Sequence, residues 1–242
     1  MSAYYELDYP VAARAESSAR AAFIRRTYAH LAGAVLAFVG LETALFSLVS
    51  HQDFQQFFAT AFRSPITLLI FFLIFVGAGA VARMFAHTSS SPAIQYLGLA
   101  LYVAVQAVIF VPLLYIAKFY VNDPNLIAQA GIMTLCVFGG LTITVLVTGK
   151  DFSFLGPILC IAGFMVFGVI IAAILFGFTL GLGFSFLMVG IASAYILYDT
   201  SNVLHHYRTD QHVGAALELF ASLALLFYYI LRILIALSSN RD

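Results

Sequence analysis

Residues 193–234 read SAYILYDTSNVLHHYRTDQHVGAALELFASLALLFYYILRIL, and this stretch decides how the chain folds. Its second part, residues 215–234, is a run of twenty with one acid, Glu218, and one base, Arg232. Crossing the hydrocarbon of a bilayer takes about 20 mostly apolar residues in a helix. A barrel strand would alternate polar and apolar residues every second position, and this run does not. An α-helix satisfies its own backbone donors and acceptors where lipid offers none, so the run is a spanning helix. A second apolar run ends near residue 204, and HHYRTDQH, residues 205–212, separates the two. The stretch is therefore a pair of antiparallel spans joined by a short polar loop.

Extending the same reading outward places spans near 28–50, 65–86, 93–116, 126–148, 155–176, 181–204 and 214–237. Polar or turn-forming segments separate them: HQDFQQ with Arg63-Ser64-Pro65, then HTSSSP, KFYVNDPN, TGKDFS, Gly177 to Gly181, and HHYRTDQH. The gap at 177–180 is short and uncharged, which fits either a tight hairpin or one broken segment. The expected fold is an all-α membrane protein, a seven-transmembrane helix bundle over residues 23–238. A polar, flexible N-terminal tail (1–22) precedes it, without the apolar core of a signal peptide, and a short C-terminal tail (239–242) follows.

Composition agrees. Hydrophobic residues make up 63% of the chain and charged residues 9%, against roughly 45–50% and about 25% in soluble domains. So little charge cannot cover a water-facing surface, and most of the exterior must meet the lipid bilayer. A formal net charge of +0 excludes nucleic acid as a partner, because phosphate binding needs a basic surface. The two cysteines, Cys136 and Cys160, lie in apolar runs and read as small core residues rather than a disulfide or metal pair. Glycines such as Gly33, Gly77, Gly79, Gly139, Gly140 and Gly190 read as ordinary close-packing positions.

Orientation follows from the basic residues. With the N-terminus in the cytoplasm, seven Lys and Arg residues (Arg14, Arg20, Arg25, Arg26, Arg83, Lys150 and Arg208) lie inside. Three (Arg63, Lys118 and Arg241) lie outside, and Arg232 sits within the last span. Tyr28, Tyr96, Tyr115, Tyr120 and Tyr207, near predicted span ends, are expected to anchor the chain at the interfaces.

Ionisable residues inside the spans are the best functional pointers, since burying a charge at mid-bilayer costs roughly 2.5–3.5 kcal/mol on insertion scales. They are Glu42, Arg83, Asp199, Glu218 and Arg232. Asp199 and Glu218 lie about 7 Å and 6 Å from the facing ends of spans six and seven, at 1.5 Å per residue. Arg83 ends span two at a similar height, so two acids and one arginine are expected in one layer near the cytoplasmic face. Around Asp199, the residues Ser185, Tyr195, Asn202 and His206 share a helical stripe; on the last span Glu218, Ser222, Tyr229 and Arg232 do. Two acids so placed resist ionising together and form hardware for binding a cation or a proton. Hard cations such as Ca²⁺ favour carboxylate oxygens, making Asp199 and Glu218 the candidate metal ligands. Glu42 reads equally as a neutral, hydrogen-bonded acid or as a second ion site. His205, His206 and His212 read as a solvated basic face. Neither an HExxH pair nor a GxSxG elbow occurs, so no enzyme and no resident cofactor is expected, beyond a transient Ca²⁺.

With these residues in view, the chain resembles the Bax inhibitor/YccA family, also called the transmembrane Bax inhibitor motif family. SAYILYDTSNVLHHY (193–207) carries the family's ILYD-type motif with its Asp on Asp199, and AALELFASLALLFYYILRIL (215–234) is similar to the family's last span. FIRRTYAHLAGAVLAF, residues 23–38, is also family-like. The resemblance implies that the last helix is central, with six helices around it. It also implies that an aspartate pair between helices six and seven latches a calcium leak against pH, with a basic residue ending helix two, here Arg83. The second aspartate is absent: Ser222 stands at its position, Leu225 stands where an Asn would follow, and Glu218, one turn earlier, is the substitute. The expected function is a pH-sensitive cation leak channel or transporter, Ca²⁺ first, in a bacterial inner (plasma) membrane. Asp199, Glu218 and Ser222 would be its ion or proton ligands and Arg83 its gating counter-charge. The alternative is a non-transporting regulator that binds a membrane protease such as FtsH through its N-terminal tail.

Overall fold

The computed structural model of the chain describes residues 10–88 and 91–238. Among them, eight α-helices follow a single 3-10 turn at Ala12–Arg14: α1 Ser17–Leu48, α2 His51–Ala61, α3 Pro65–Ala86, α4 Pro92–Phe119, α5 Leu126–Thr148, α6 Leu155–Phe176, α7 Leu182–His205 and α8 His212–Ser238. All except α2 are long and apolar enough to cross a membrane, and the protein is an all-α membrane protein. Local chemistry sets several ends. Pro65 and Pro92 open α3 and α4, where a missing N–H costs nothing. Gly149 and Gly177 close α5 and α6 with φ of 60° and 71°, a left-handed turn that a side chain would strain. Gly177 thereby settles the short gap as a turn between two separate helices.

Two boundaries depart from the sequence reading. First, α1 begins at Ser17 rather than near 28, so the predicted flexible tail of 1–22 is structured from Pro10 onward; residues 1–9 and the C-terminal tail 239–242 lie outside the described residues. Burial explains the difference. Phe23, Thr27 and Ala12 are all buried, and the segment is tied to the α7–α8 loop. Ala12 N–H donates to the Tyr207 carbonyl at 2.9 Å and Thr209 N–H to the Pro10 carbonyl at 3.3 Å. Second, α2 fills what read as a polar gap. Its N-terminus carries a reciprocal cap, with the Ser50 hydroxyl accepting from Asp53 N–H and the Asp53 carboxylate accepting from Ser50 N–H. Phe54 is buried on its inner face against Val111 and Tyr115. Tyr115, expected at an interface, is instead buried under α2, its hydroxyl 3.0 Å from His51 Nδ1.

The last helix is central. α8 packs against α1, α3, α4, α5 and α7, and most of its residues are buried. α6 lies outside this ring, against α3 and α7, with Leu159 its only buried residue. Cys136 and Cys160 are free and face outward, not into the core as expected.

The glycines that matter for packing are not the ones singled out from sequence. A Cβ added at Gly33, Gly77, Gly139, Gly140 or Gly190 would meet nothing within 4 Å. At Gly98 it would lie 2.4 Å from Ala86 N and 2.6 Å from Ala82 O, both backbone atoms. At Gly214 it would lie 2.9 Å from His87 Nδ1. Gly98 and Gly214 therefore let α4 and α8 close onto the end of α3, which is where Arg83 and His87 are carried. Gly98→Ala is expected to lower stability by about 1–3 kcal/mol through overpacking. Gly33→Ala should be neutral or stabilising by about 0.5–1 kcal/mol. Thermal unfolding of the purified protein in detergent checks both, and equal effects would contradict the α3–α4 contact.

Candidate functional site

A cavity of about 810 Å³ runs along one side of α8. Glu218, Ser222, Tyr229 and Arg232, the stripe expected on this helix, all line it, together with Tyr195, Asp199 and Asn202 of α7. Arg83 of α3 and Tyr102 and Gln106 of α4 complete the polar wall. From Glu218 to Arg232 the stripe rises about 21 Å at 1.5 Å per residue. The cavity thus has a charged layer at the end where α1 begins and an arginine towards the other. That arginine is held by the chain itself, since Arg232 Nη2 donates to the Leu180 carbonyl.

The charged layer is an ion pair rather than a pair of acids. Arg83 Nη1 donates to Glu218 Oε2. Arg83 Nη2 donates to the Tyr102 hydroxyl at 3.2 Å, and that hydroxyl also accepts from Gln106 Nε2 at 3.0 Å. The guanidinium lies 5.3 Å from the Tyr102 ring centroid, adding a cation–π contact. The second Glu218 oxygen, Oε1, accepts from His87 Nε2 at 2.9 Å. α8 is thereby fastened to the end of α3 through both oxygens of one carboxylate.

Asp199 is the more deeply buried acid, 7% exposed, and it forms no ion pair among the described residues. Its carboxyl lies within electrostatic reach of Glu218 and Arg83 and faces the Ser222 hydroxyl. That hydroxyl is 3.2 Å from the carbonyl oxygens of both Glu218 and Leu219, so it is oriented by its own helix. Asp199, Glu218, Ser222 and Arg83, predicted from sequence to converge, do meet in one cavity. A shared metal geometry at Asp199 and Glu218 is not assembled in this state, because Arg83 and His87 already engage both Glu218 oxygens. No group of three or more His, Cys, Asp or Glu side chains able to hold a metal occurs among the described residues.

The loops beneath this layer are clamped by short polar contacts. Tyr207 stacks on the His87 ring, with centroids 6.1 Å apart and planes 18° from parallel. Burial, and then the nearby Glu218 and Asp199, push its phenol above the ordinary range, so it remains a neutral hydroxyl. In the α5–α6 loop, Asp151 accepts from Ser153 N–H at 2.8 Å, from the Ser201 hydroxyl at 3.2 Å and from His206 Nε2. The Ser153 backbone N–H first, then the Ser153, His206 and Ser201 side chains, hold its carboxyl down at about 2. The stability this contributes is therefore present in full above the ordinary Asp value and is lost progressively as pH falls from there through about 2.

Comparison with known proteins gives the same grouping. The profile of the family described as "Inhibitor of apoptosis-promoting Bax1" matches residues 20–240. The chain belongs to the Bax inhibitor family. Protein lifeguard 4 of Mus musculus is 29% identical over 91% of this chain and 87% of its own length. An uncharacterized protein of Campylobacter jejuni is 29% identical over 98% of the chain and 99% of its own. A BI1-like protein of Arabidopsis thaliana is 37% identical over 47% of the chain and 46% of its own. No solved structure gives a significant match.

For this Bax inhibitor family member, sequence reasoning missed His87 and Tyr102. A signal for His87 existed: it follows Arg83 by four residues, one helical turn on the same face. Tyr102 carried none, since a tyrosine in an apolar span is ordinary. The His205, His206 and His212 group does not converge. His205 Nδ1 sits 3.0 Å from the Ser201 carbonyl, His206 pairs with Asp151, and His212 packs on the His30 ring at 4.9 Å. Ser185 is buried, and its hydroxyl has no partner among the described residues. A double-mutant cycle tests the layer. Arg83→Met and Glu218→Gln should show a coupling of about 1 kcal/mol or more in unfolding free energy, while Arg83→Met with Asp151→Asn should add within about 0.5 kcal/mol. Additivity of the first pair would contradict the ion pair.

Proposed function

We propose that this Bax inhibitor family member is a pH-sensitive leak pathway for cations, Ca²⁺ in particular, gated by the acid layer between α7 and α8. The observation that carries the reading is the buried Asp199 in the wall of a cavity of about 810 Å³, beside an Arg83–Glu218 pair that fastens α3 to α8. In this scheme the Arg83–Glu218 pair holds the cavity shut. Once released, α3 can part from α8, and the carboxyls of Asp199 and Glu218 with the Ser222 hydroxyl become oxygen donors along the opened cavity. Hard cations take six to eight such oxygens, so these three would be part of a transient site completed by water and backbone carbonyls. Acid opens the path in this scheme, acting on the carboxyl layer that Asp199 and Glu218 form in the cavity wall. The reading makes and breaks no covalent bond and needs no cofactor. The excess of Lys and Arg on this side of the bundle supports a cytoplasmic position for the layer, and we propose a bacterial plasma membrane as the setting.

The alternative of a regulator that docks a membrane protease through a free N-terminal tail gains less support. Residues Pro10 to Ala12 of that tail are bound to the chain's own α7–α8 loop.

Calcium flux into liposomes carrying the purified protein, scanned from about pH 5 to 8, tests the proposal. The wild type should leak several-fold faster at the acid end. Glu218→Gln should leak at every pH with a flat profile, and Asp199→Asn should reduce the rate. No flux above empty liposomes at any pH would overturn the leak reading in favour of a partner-binding role.

A further inference from the structure

A second cavity, of about 330 Å³, lies between α1, α4, α5 and α8 and shares no residue with the first. It falls at the small end of ligand pockets, which run from about 300 to 1,000 Å³. Glu42 of α1 projects into it, 7% exposed, and neither of its carboxyl oxygens has a hydrogen-bond partner among the described residues. Phe38, Phe46 and Phe227 form the apolar wall. Glu42 is six residues from the end of α1 at Leu48, about 9 Å along the axis. Lys118, next to the end of α4, lines the cavity at that same end of the bundle.

We propose that this cavity is a binding site for small lipophilic amines, with Glu42 pairing the ammonium group and the phenylalanine wall covering the alkyl part. A buried carboxyl with no hydrogen-bond partner is costly in an apolar wall, and a partner that brings N–H donors and a positive charge removes that cost. A neutral apolar ligand would bury the carboxyl without satisfying it. A divalent cation would be poorly served. The only other side-chain oxygens in the wall are the neutral hydroxyls of Thr43 and Ser47, so with the two oxygens of Glu42 the side chains offer four at most. A Ca²⁺ ion takes six to eight oxygens. The wall already accommodates an alkylammonium: the Lys118 ammonium lies 5.1 Å from the Phe46 ring centroid and 5.4 Å from that of Phe119. Lys118 is not ion-paired to Glu42, so the carboxyl remains open to an incoming cation. Among the groups that line the cavity, Glu42 and Lys118 alone are charged or titratable.

The probe is n-hexylamine, set against n-hexanol of the same chain length, with thermal unfolding of the full-length protein in detergent at fixed neutral pH. Hexylammonium at roughly ten times its dissociation constant should raise the unfolding midpoint by about 3–6 °C. Glu42→Gln should lose that shift, Lys118→Met should need several-fold less amine for it, and hexanol should produce none. Ser47→Trp, which fills the cavity while leaving Glu42 in place, should also lose it, and it serves where Glu42→Gln does not fold. An equal shift with hexanol, an undiminished shift in Glu42→Gln or Ser47→Trp, or no shift in the wild type would each overturn the site. Calcium flux is not read in any of these arms, so the outcome stands apart from the leak pathway.

Discussion

A charge inside a bilayer needs an opposite charge or a ring of donors, and in this protein one carboxylate supplies that need for two helices at once. Both oxygens of Glu218 are engaged, one by Arg83 and the other by His87, and these residues sit one turn apart at the end of α3. Without that anion the direct contacts left to the guanidinium would be the Tyr102 hydroxyl and ring, a poor substitute in low dielectric. The end of α3 is therefore tied to the start of α8, and the first cavity takes its shape from the tie. Gly98 and Gly214 make it sterically possible, because a side chain at either would hold the helices apart.

The central position of α8 follows from the same economy. Helices that share lipid as their solvent gain little from burying apolar surface against one another, so polar contacts and close packing decide which helix lies inside. α8 carries Glu218, Ser222, Tyr229 and Arg232 on one face and mostly apolar residues elsewhere. Surrounding it on five sides lets the polar face line a cavity while the apolar faces pack. α6, which has no charged residue, is left at the periphery facing lipid.

The two acids of the first cavity are in this way assigned different environments by their neighbours. Glu218 is paired and structural in the resting arrangement; Asp199 is buried beside it without an ion pair, facing Ser222. Glu42 is a third case, isolated in an aromatic pocket away from both. The three carboxyls have similar intrinsic chemistry, and the difference lies in what the surrounding helices present to each.

The seven spans, most of their limits and the charged residues within them were legible in the sequence, because a bilayer imposes a minimum apolar length and penalises every charge inside it. Helical periodicity also sufficed to put Glu218, Ser222, Tyr229 and Arg232 on one face. What the chain order could not show was contact between elements distant in sequence. His87 joins Glu218 across 131 residues, and Tyr102 joins Arg83 through a pairing of α3 with α4. The amphipathic α2 was hidden because its Gln and Asp residues mask a buried aromatic face in any count of apolar length. The docked segment before α1 was hidden because its anchor, the Tyr207 carbonyl, is a backbone atom with no signature in sequence. Whether an acid is paired, hydrogen-bonded or alone was likewise decided only by tertiary structure, since it depends on which side chains other helices bring within about 3 Å.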